Sequence, residues 1–187
     1  MTQAPDQPPY CPPAGLLPRR FRGDERAVSA VEFALILPVL IVLYLGGVEL
    51  SHTISVDRKV TAVASAVGDL VAQAKSIDNA EMNHIFTAAT AIMAPYPVAP
   101  LKMVVSSVEV SSKGDKILWS NGYHTAGRTV GSAVSLPAAV RIEGTTLIMS
   151  EADYTYTPTL GQIFTESITL SDTFYLRPRS ADKVERQ

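Results

Sequence analysis

An apolar run near the N-terminus constrains the fold of this chain more than any other part of its sequence. Residues 28–50, VSAVEFALILPVLIVLYLGGVEL, include two charged side chains, Glu32 and Glu49. A helix of about 23 residues, at about 1.5 Å per residue, spans a hydrocarbon layer of about 30 Å. We therefore expect residues 28–50 to form a transmembrane helix with the two acids near the membrane surfaces. Pro38 interrupts one backbone hydrogen bond of this helix, and the sequence allows either a local distortion or simple tolerance there.

Basic residues before the apolar run predict its orientation. Residues 1–27 are rich in Pro, Gln and Arg and contain the only cysteine, Cys11, which predicts a disordered leader without an internal disulfide. Four arginines of this leader stand close to the apolar run: Arg19, Arg20, Arg22 and Arg26. The charges that follow the run are mixed in sign. Because basic residues are retained in the cytoplasm, we expect the leader to be cytoplasmic and the rest of the chain to cross the membrane.

Residues 51–94 have the apolar spacing of helices. From Ile54 to Ala74 the apolar residues recur at steps of three and four, which predicts that the membrane helix continues as an amphipathic helix. A second helix is predicted from about Asn79 to Met93. Three residues are candidates for its N-cap: Ser76, Asp78 and Asn79.

Residues 95–187 change to the period of two that is typical of strands. Residues 102–111 and 116–120 predict a hairpin about a turn at 113–115, and residues 122–131 predict a polar, glycine-rich loop. Two further strands are predicted at 147–157 and 167–176, and 136–142 is a candidate for one more. The strand at 147–157 alternates at Ala152, Tyr154 and Tyr156, and the strand at 167–176 alternates at Ile168, Leu170 and Phe174.

Together these patterns predict an α+β fold. It has a long N-terminal transmembrane helix that continues into an amphipathic helix, then a second helix, then a small antiparallel β-sheet. The predicted segments are a leader (1–27), a transmembrane helix (28–50), a helical stalk (51–94) and a β domain (95–187). Most of the aromatic side chains on the strands are expected in the sheet core: Trp119, Tyr154, Tyr156, Phe174 and Tyr175.

The sequence contains no motif that indicates an enzyme. His52, His84 and His124 are far apart, and no zinc-binding spacing, nucleophile elbow or phosphate-binding loop is present. The formal net charge of −2 provides no overall basic field for nucleic acid. We therefore expect no catalytic, cofactor-binding or metal-binding residues, no small-molecule substrate and no nucleic-acid partner.

The N-terminal half of the long helix resembles a known family. Residues 23–50, GDERAVSAVEFALILPVLIVLYLGGVEL, combine a charged patch, a small residue, a V-E-F core and a long apolar stretch that ends in an acid. In this they resemble the TadE/TadG-like minor pilins and pseudopilins of tight-adherence pili. The segments YTYTP at 154–158 and LRPR at 176–179 are similar to the same family. The resemblance implies a pilin-like fold and a role in pilus assembly.

The resemblance also implies a processing site and an assembly site. Prepilins are cut by a prepilin peptidase on the cytoplasmic side of the helix, which leaves a glutamate at the fifth mature position. If Glu32 is that residue, the cut lies between Ala27 and Val28. Most relatives have Gly where this chain has Ala27, so we expect cleavage to be slower. Glu32 and Phe33 are the residues that the resemblance assigns to assembly with other pilins.

Two functions remain open at this point. In the first, the chain is a minor pilin or pseudopilin of the bacterial inner membrane, with a periplasmic C-terminal domain, that takes part in pilus assembly for surface attachment and biofilm formation. Its partners would then be the inner membrane, the prepilin peptidase and the pilus machinery, and some exposed aromatic residues would contact other subunits. In the second, the chain stays uncleaved as a single-pass inner-membrane protein with a periplasmic binding or scaffolding domain.

Overall fold

The long N-terminal helix is present in the computed structural model, which describes residues 25–158 and 167–187. Helix α1, Glu25–Gln73, continues through Pro38, so the chain does not unwind at this proline. The described residues divide between two units, a first unit up to Gly46 and a second unit from Gly47 to Gln187. In the first unit, apolar side chains of α1 are open to the surroundings, with Leu35 71% and Val42 70% exposed. This exposure is typical of a helix that faces lipid or other helices, because water would disfavour such a surface.

In the second unit, α1 buries one face against the rest of the chain. Val56, Val60, Val63 and Val67 are buried at the spacing of three and four that the sequence predicts. Helix α2, Asn79–Thr90, follows, and a short 3-10 turn, Ala91–Met93, ends it. Of the three candidate N-caps the structure selects Asp78, whose carboxylate accepts a hydrogen bond from the Glu81 amide at 2.7 Å.

The strands form two sheets. Their bounds are β1 Ser76–Ile77, β2 Leu101–Glu109, β3 Asp115–Tyr123, β4 Ala133–Val134, β5 Thr146–Tyr156, β6 Ile168–Leu176 and β7 Glu185–Arg186. The larger sheet is antiparallel in the order β4-β3-β2-β5-β6, and β1 pairs with β7 in parallel. The predicted α+β fold and its antiparallel sheet are therefore confirmed.

Individual strands differ from the sequence prediction in three places. The hairpin β2-β3 is confirmed, but β3 extends through Tyr123, so the glycine-rich loop begins at His124. The candidate strand at 136–142 is wrong, because these residues form a turn closed by the Val140 amide and the Pro137 carbonyl. Ile168 is also not in the core, since 41% of it is exposed at the start of the edge strand β6.

The helices pack on one face of the larger sheet. Side chains of α1 and α2 share a core with strand residues that include Met103, Ile148 and Tyr154. On the opposite face, a smaller cluster around Leu147 and Met149 is covered by Leu136. Successive residues of a strand point to opposite faces, so β5 contributes to both clusters.

At Gly68, α1 packs closely against the sheet. A Cβ atom added there would lie 2.5 Å from Leu176 Cδ1 and 3.2 Å from Ser150 Cβ. A side chain at this position would therefore require the tip of Leu176 and the Ser150 side chain to shift, whereas glycine lets α1 pack against β5 and β6 without that adjustment.

The C-terminal residues tie this unit together. The Arg179 amide donates to the Ala72 carbonyl at 2.8 Å, and the Ser180 hydroxyl donates to the Gln73 carbonyl at 2.7 Å, so the tail caps the last turn of α1. The Trp119 indole N–H donates to the Val184 carbonyl at 2.8 Å. The tail therefore joins α1 to the sheet.

Candidate functional site

The four residues predicted for processing and assembly lie in the described part of α1. Ala27, Val28, Glu32 and Phe33 are all helical. Val28 and Phe33 are 59% and 58% exposed, and Glu32 is exposed as well. Residues four apart share one face of a helix, so Val28 and Glu32 are neighbours on the helix surface. The arrangement leaves the Glu32 carboxylate accessible to a partner outside the chain.

The second acid of the apolar run has a partner within the chain. The Tyr156 hydroxyl donates a hydrogen bond to Glu49 Oε1 at 2.8 Å. Burial raises the pKa of Tyr156 to about 12, and the Glu49 carboxylate acts in the same direction because it stabilises the protonated phenol. The sequence predicts Glu49 near a membrane surface but contains no local signal for this contact, because Tyr156 is the last residue of the distant strand β5.

Beside this hydrogen bond lies a groove of about 420 Å³. Its walls include His52, Tyr96, Pro97, Pro100, Tyr154 and Tyr156. The Tyr154 hydroxyl donates to the Pro97 carbonyl at 3.0 Å, which holds the strand β5 against the proline-rich segment after α2. Burial also raises the pKa of Tyr154. The groove thus has aromatic and proline rings as walls and hydroxyl and imidazole groups as its polar atoms.

A second, shallower groove of about 370 Å³ lies on the outer face of α1. Its lining includes Gly47, Ser51 and Ser55, at a spacing of four residues, together with Leu50, Ile54 and Arg58. Leu50 is 62% and Ile54 46% exposed. Small residues at this spacing allow another helix to approach closely.

The histidines do not form a site with one another. His52 lies at the first groove, His84 lies on the exposed face of α2, and the His124 ring stacks on Tyr123 with ring centroids 4.0 Å apart. Among residues 25–158 and 167–187, no group of three or more His, Cys, Asp or Glu side chains is placed to hold a metal ion.

These features define the class of protein. Within the described residues, the chain has one helix long and apolar enough to cross a membrane, joined to an α+β unit. Residues 27–69 match the model of the TadE-like protein family, which confirms the predicted resemblance. No curated protein and no solved structure matches the chain. The family match and the apolar helix together indicate a membrane-anchored protein associated with tight-adherence pili.

Proposed function

We propose that this protein is a minor pilin or pseudopilin that takes part in assembling a tight-adherence pilus for surface attachment and biofilm formation. The observation that carries the proposal is that the TadE-like match, residues 27–69, contains the exposed apolar part of α1. TadE-like proteins are a pilus-associated structural family, so the role is one of assembly and not of catalysis. The helix anchors the chain in the bacterial inner membrane, and residues 51–187 lie in the periplasm before assembly.

The proposed cleavage site is a helical peptide bond. The bond between Ala27 and Val28 lies within the described part of α1, Glu25–Gln73. A prepilin peptidase binds this bond in an extended conformation, so this part of the helix has to unwind before cleavage. The methyl group of Ala27, where relatives have Gly, makes this step slower but leaves it possible.

Cleavage creates the partner for Glu32. An acid near the centre of a membrane helix costs about 2.5 to 3.5 kcal/mol to insert, and closer to the surface it still favours a partner over lipid. The cut converts the Val28 amide into a positively charged amine. We place this amine of one subunit against the Glu32 carboxylate of its neighbour. The pair sets the axial register of the helices, while Phe33 and the other apolar side chains supply most of the contact.

The outer face of α1 supports a helical partner beyond the membrane segment. The groove on this face is lined by Gly47, Ser51 and Ser55, by the exposed Leu50 and Ile54, and by Arg58. A second helix that packs there buries apolar surface and removes Leu50 and Ile54 from water. The partner that this face fits best is therefore another pilin helix.

Substitution of Glu32 tests the proposed function. Glu32→Gln keeps the shape of the side chain and removes its charge, so the variant should insert and be cleaved but fail to co-purify with other pilins. Glu49→Gln is the matched control, because its amide oxygen can still accept the hydrogen bond from Tyr156. If Glu32→Gln assembles and supports surface attachment like the parent, the proposed role of the charge is wrong.

The second candidate function stays open because this chain has Ala27 where relatives have Gly. In this second function the chain is not cleaved and is an inner-membrane protein with a periplasmic binding or scaffolding domain. N-terminal sequencing of protein from native membranes separates the two: a mature chain that begins at Val28 supports the pilin, and an intact leader supports the scaffold.

A further inference from the structure

The groove walled by His52, Tyr96, Tyr154 and Tyr156 lies next to the end of the apolar run. Tyr156 in its wall is hydrogen-bonded to Glu49, the second acid of that run. His52 follows Glu49 by less than one helical turn, which is about 5.4 Å along the helix. Glu49, Leu50 and the groove belong to the same compact unit, residues 47–187. The groove is therefore within about one helical turn of the place where the apolar surface of α1 ends.

The chemistry of the groove suits the boundary between water and hydrocarbon. Tyrosine has an apolar ring and a polar tip, and it is enriched where membranes meet water. Two of the tyrosine hydroxyls already donate within the chain, to the Pro97 carbonyl and to Glu49, which holds these rings in place. The two proline residues of the wall, Pro97 and Pro100, add apolar rings without backbone N–H groups that would need an acceptor.

Ile168 adds an exposed apolar side chain next to the wall of the groove. It is opposite Tyr156 in the pairing of β5 with β6 and is 41% exposed. An exposed apolar side chain is disfavoured in water and is stabilised by contact with a bilayer.

We propose that this groove binds the headgroup and glycerol region of a membrane phospholipid, as a second contact with the bilayer beside the helix. The imidazole of His52 and the hydroxyl of Tyr96 face the polar part of the lipid, and the proline and tyrosine rings face the start of its acyl chains. The proposal rests on the membrane anchoring in the proposed function. The contact holds residues 47–187 at the membrane surface until the subunit leaves the bilayer.

Fluorescence quenching in vesicles tests this proposal on the full-length chain. The chain has one tryptophan, Trp119, which is 7% exposed and serves as a constant background. Tyr96→Trp adds a fluorophore in the groove, and Tyr175→Trp is the matched control, because Tyr175 lies on β6 opposite Met149, away from the groove. Each variant is reconstituted in phosphatidylethanolamine and phosphatidylglycerol vesicles with a nitroxide either on the headgroup or deep in the acyl chain. Flotation of the vesicles and thermal melting check anchoring and folding.

We expect Tyr96→Trp to lose a larger fraction of its fluorescence than the parent, and to lose more with the headgroup label than with the acyl label. Tyr175→Trp should be quenched like the parent. If all variants float and fold but Tyr96→Trp is quenched no more than the parent, the lipid site is wrong while the anchor remains. In that outcome a protein partner, and not a lipid, would be the candidate ligand of the groove. If the chain does not float with the vesicles, the anchor itself is wrong and the lipid site with it.

Discussion

Tyr156 joins two positions of the chain that are 107 residues apart. Its ring is buried in the main core, with 9% of the residue exposed, and its hydroxyl reaches Glu49 at the end of the apolar run. A carboxylate near a bilayer is costly when it has no partner. The hydrogen bond from Tyr156 therefore lowers the cost of an acid at this place and ties the sheet to α1 at the end of the apolar run.

Removal of the Tyr156 hydroxyl should destabilise the second unit modestly. Tyr156→Phe keeps the buried ring and removes a hydrogen bond to a charged group, so we expect a loss of about 1.5 to 3 kcal/mol in the free energy of unfolding. Denaturant titration of the full-length chain in detergent measures it. Tyr175→Phe is the control, since that side chain is partly buried on the opposite face. If Tyr156→Phe and the parent have equal free energies of unfolding, the predicted contribution of the hydrogen bond between Tyr156 and Glu49 is wrong.

The same hydroxyl predicts a dependence of stability on alkaline pH. The pKa of Tyr156 is raised to about 12 in the folded chain from an ordinary value near 10. Between these values the unfolded chain loses a proton that the folded chain keeps. The contribution of the Tyr156 hydroxyl to the free energy of unfolding is therefore complete below about pH 10 and is lost as the pH rises to about 12. Tyr156→Phe should have a shallower decline in melting temperature over this interval than the parent.

At the scale of elements, the contact of α1 with the sheet depends on small side chains. Ala64, Gly68 and Ala72 follow one another at a spacing of four, and all three are buried. Under Gly68 lie Ser150 and the tip of Leu176. Within the described parts of the chain, the buried Ser150 hydroxyl has no hydrogen-bond partner. A larger residue at position 68 would have to displace these two side chains, so the small residues on this face of α1 permit its close packing on the sheet.

A large side chain at position 68 should weaken this contact. Gly68→Leu would force Leu176 and Ser150 apart, and overpacking of this kind costs about 1 to 3 kcal/mol. Ala62→Leu on the same helix is the matched control, because Ala62 is exposed. Thermal melting of both variants should show a lower midpoint only for Gly68→Leu. A parent-like midpoint for Gly68→Leu would mean that the helix moves away from the sheet without loss of stability.

At the scale of the whole molecule, the arginines before the apolar run predict which side of the membrane each end occupies. Four of them precede the helix, and the charges after it are mixed in sign. The C-terminal tail is bound to α1 and β1, with the Gln187 amide donating to the Ile77 carbonyl at 3.0 Å. A fusion at this end therefore needs a flexible linker to leave the tail in place.

A reporter fused through such a linker after Gln187 tests the orientation. Alkaline phosphatase, which is active only in the periplasm, should be active in this fusion, and a reporter that needs the cytoplasm should be inactive. Replacement of Arg19, Arg20, Arg22 and Arg26 by Gln should lower the phosphatase activity, because it removes the charges that hold the leader in the cytoplasm. Activity of the cytoplasmic reporter alone would reverse the proposed topology.

Local pattern was sufficient for most elements of this protein. The spacing of apolar residues predicted α1 and α2, and the change to a period of two predicted β2, β3, β5 and β6, because helices and strands bury one side at a fixed repeat. The prediction of a strand at 136–142 was wrong because its apolar residues, Leu136 and Val140, pack on the sheet from a segment that contains a turn. The roles of Ala27, Val28, Glu32 and Phe33 came from the family resemblance and stay predictions.

Only the tertiary structure decided the strand order, the close packing at Gly68 and the hydrogen bond between Glu49 and Tyr156. Each of these depends on residues that are distant in the chain: Gly68 meets Leu176, and Glu49 meets Tyr156. The sequence by itself determined which residues are apolar and how they repeat, and hence the helix that can cross a membrane. It did not determine which polar atoms meet, because a hydrogen bond between distant residues leaves no periodic pattern for the sequence to display.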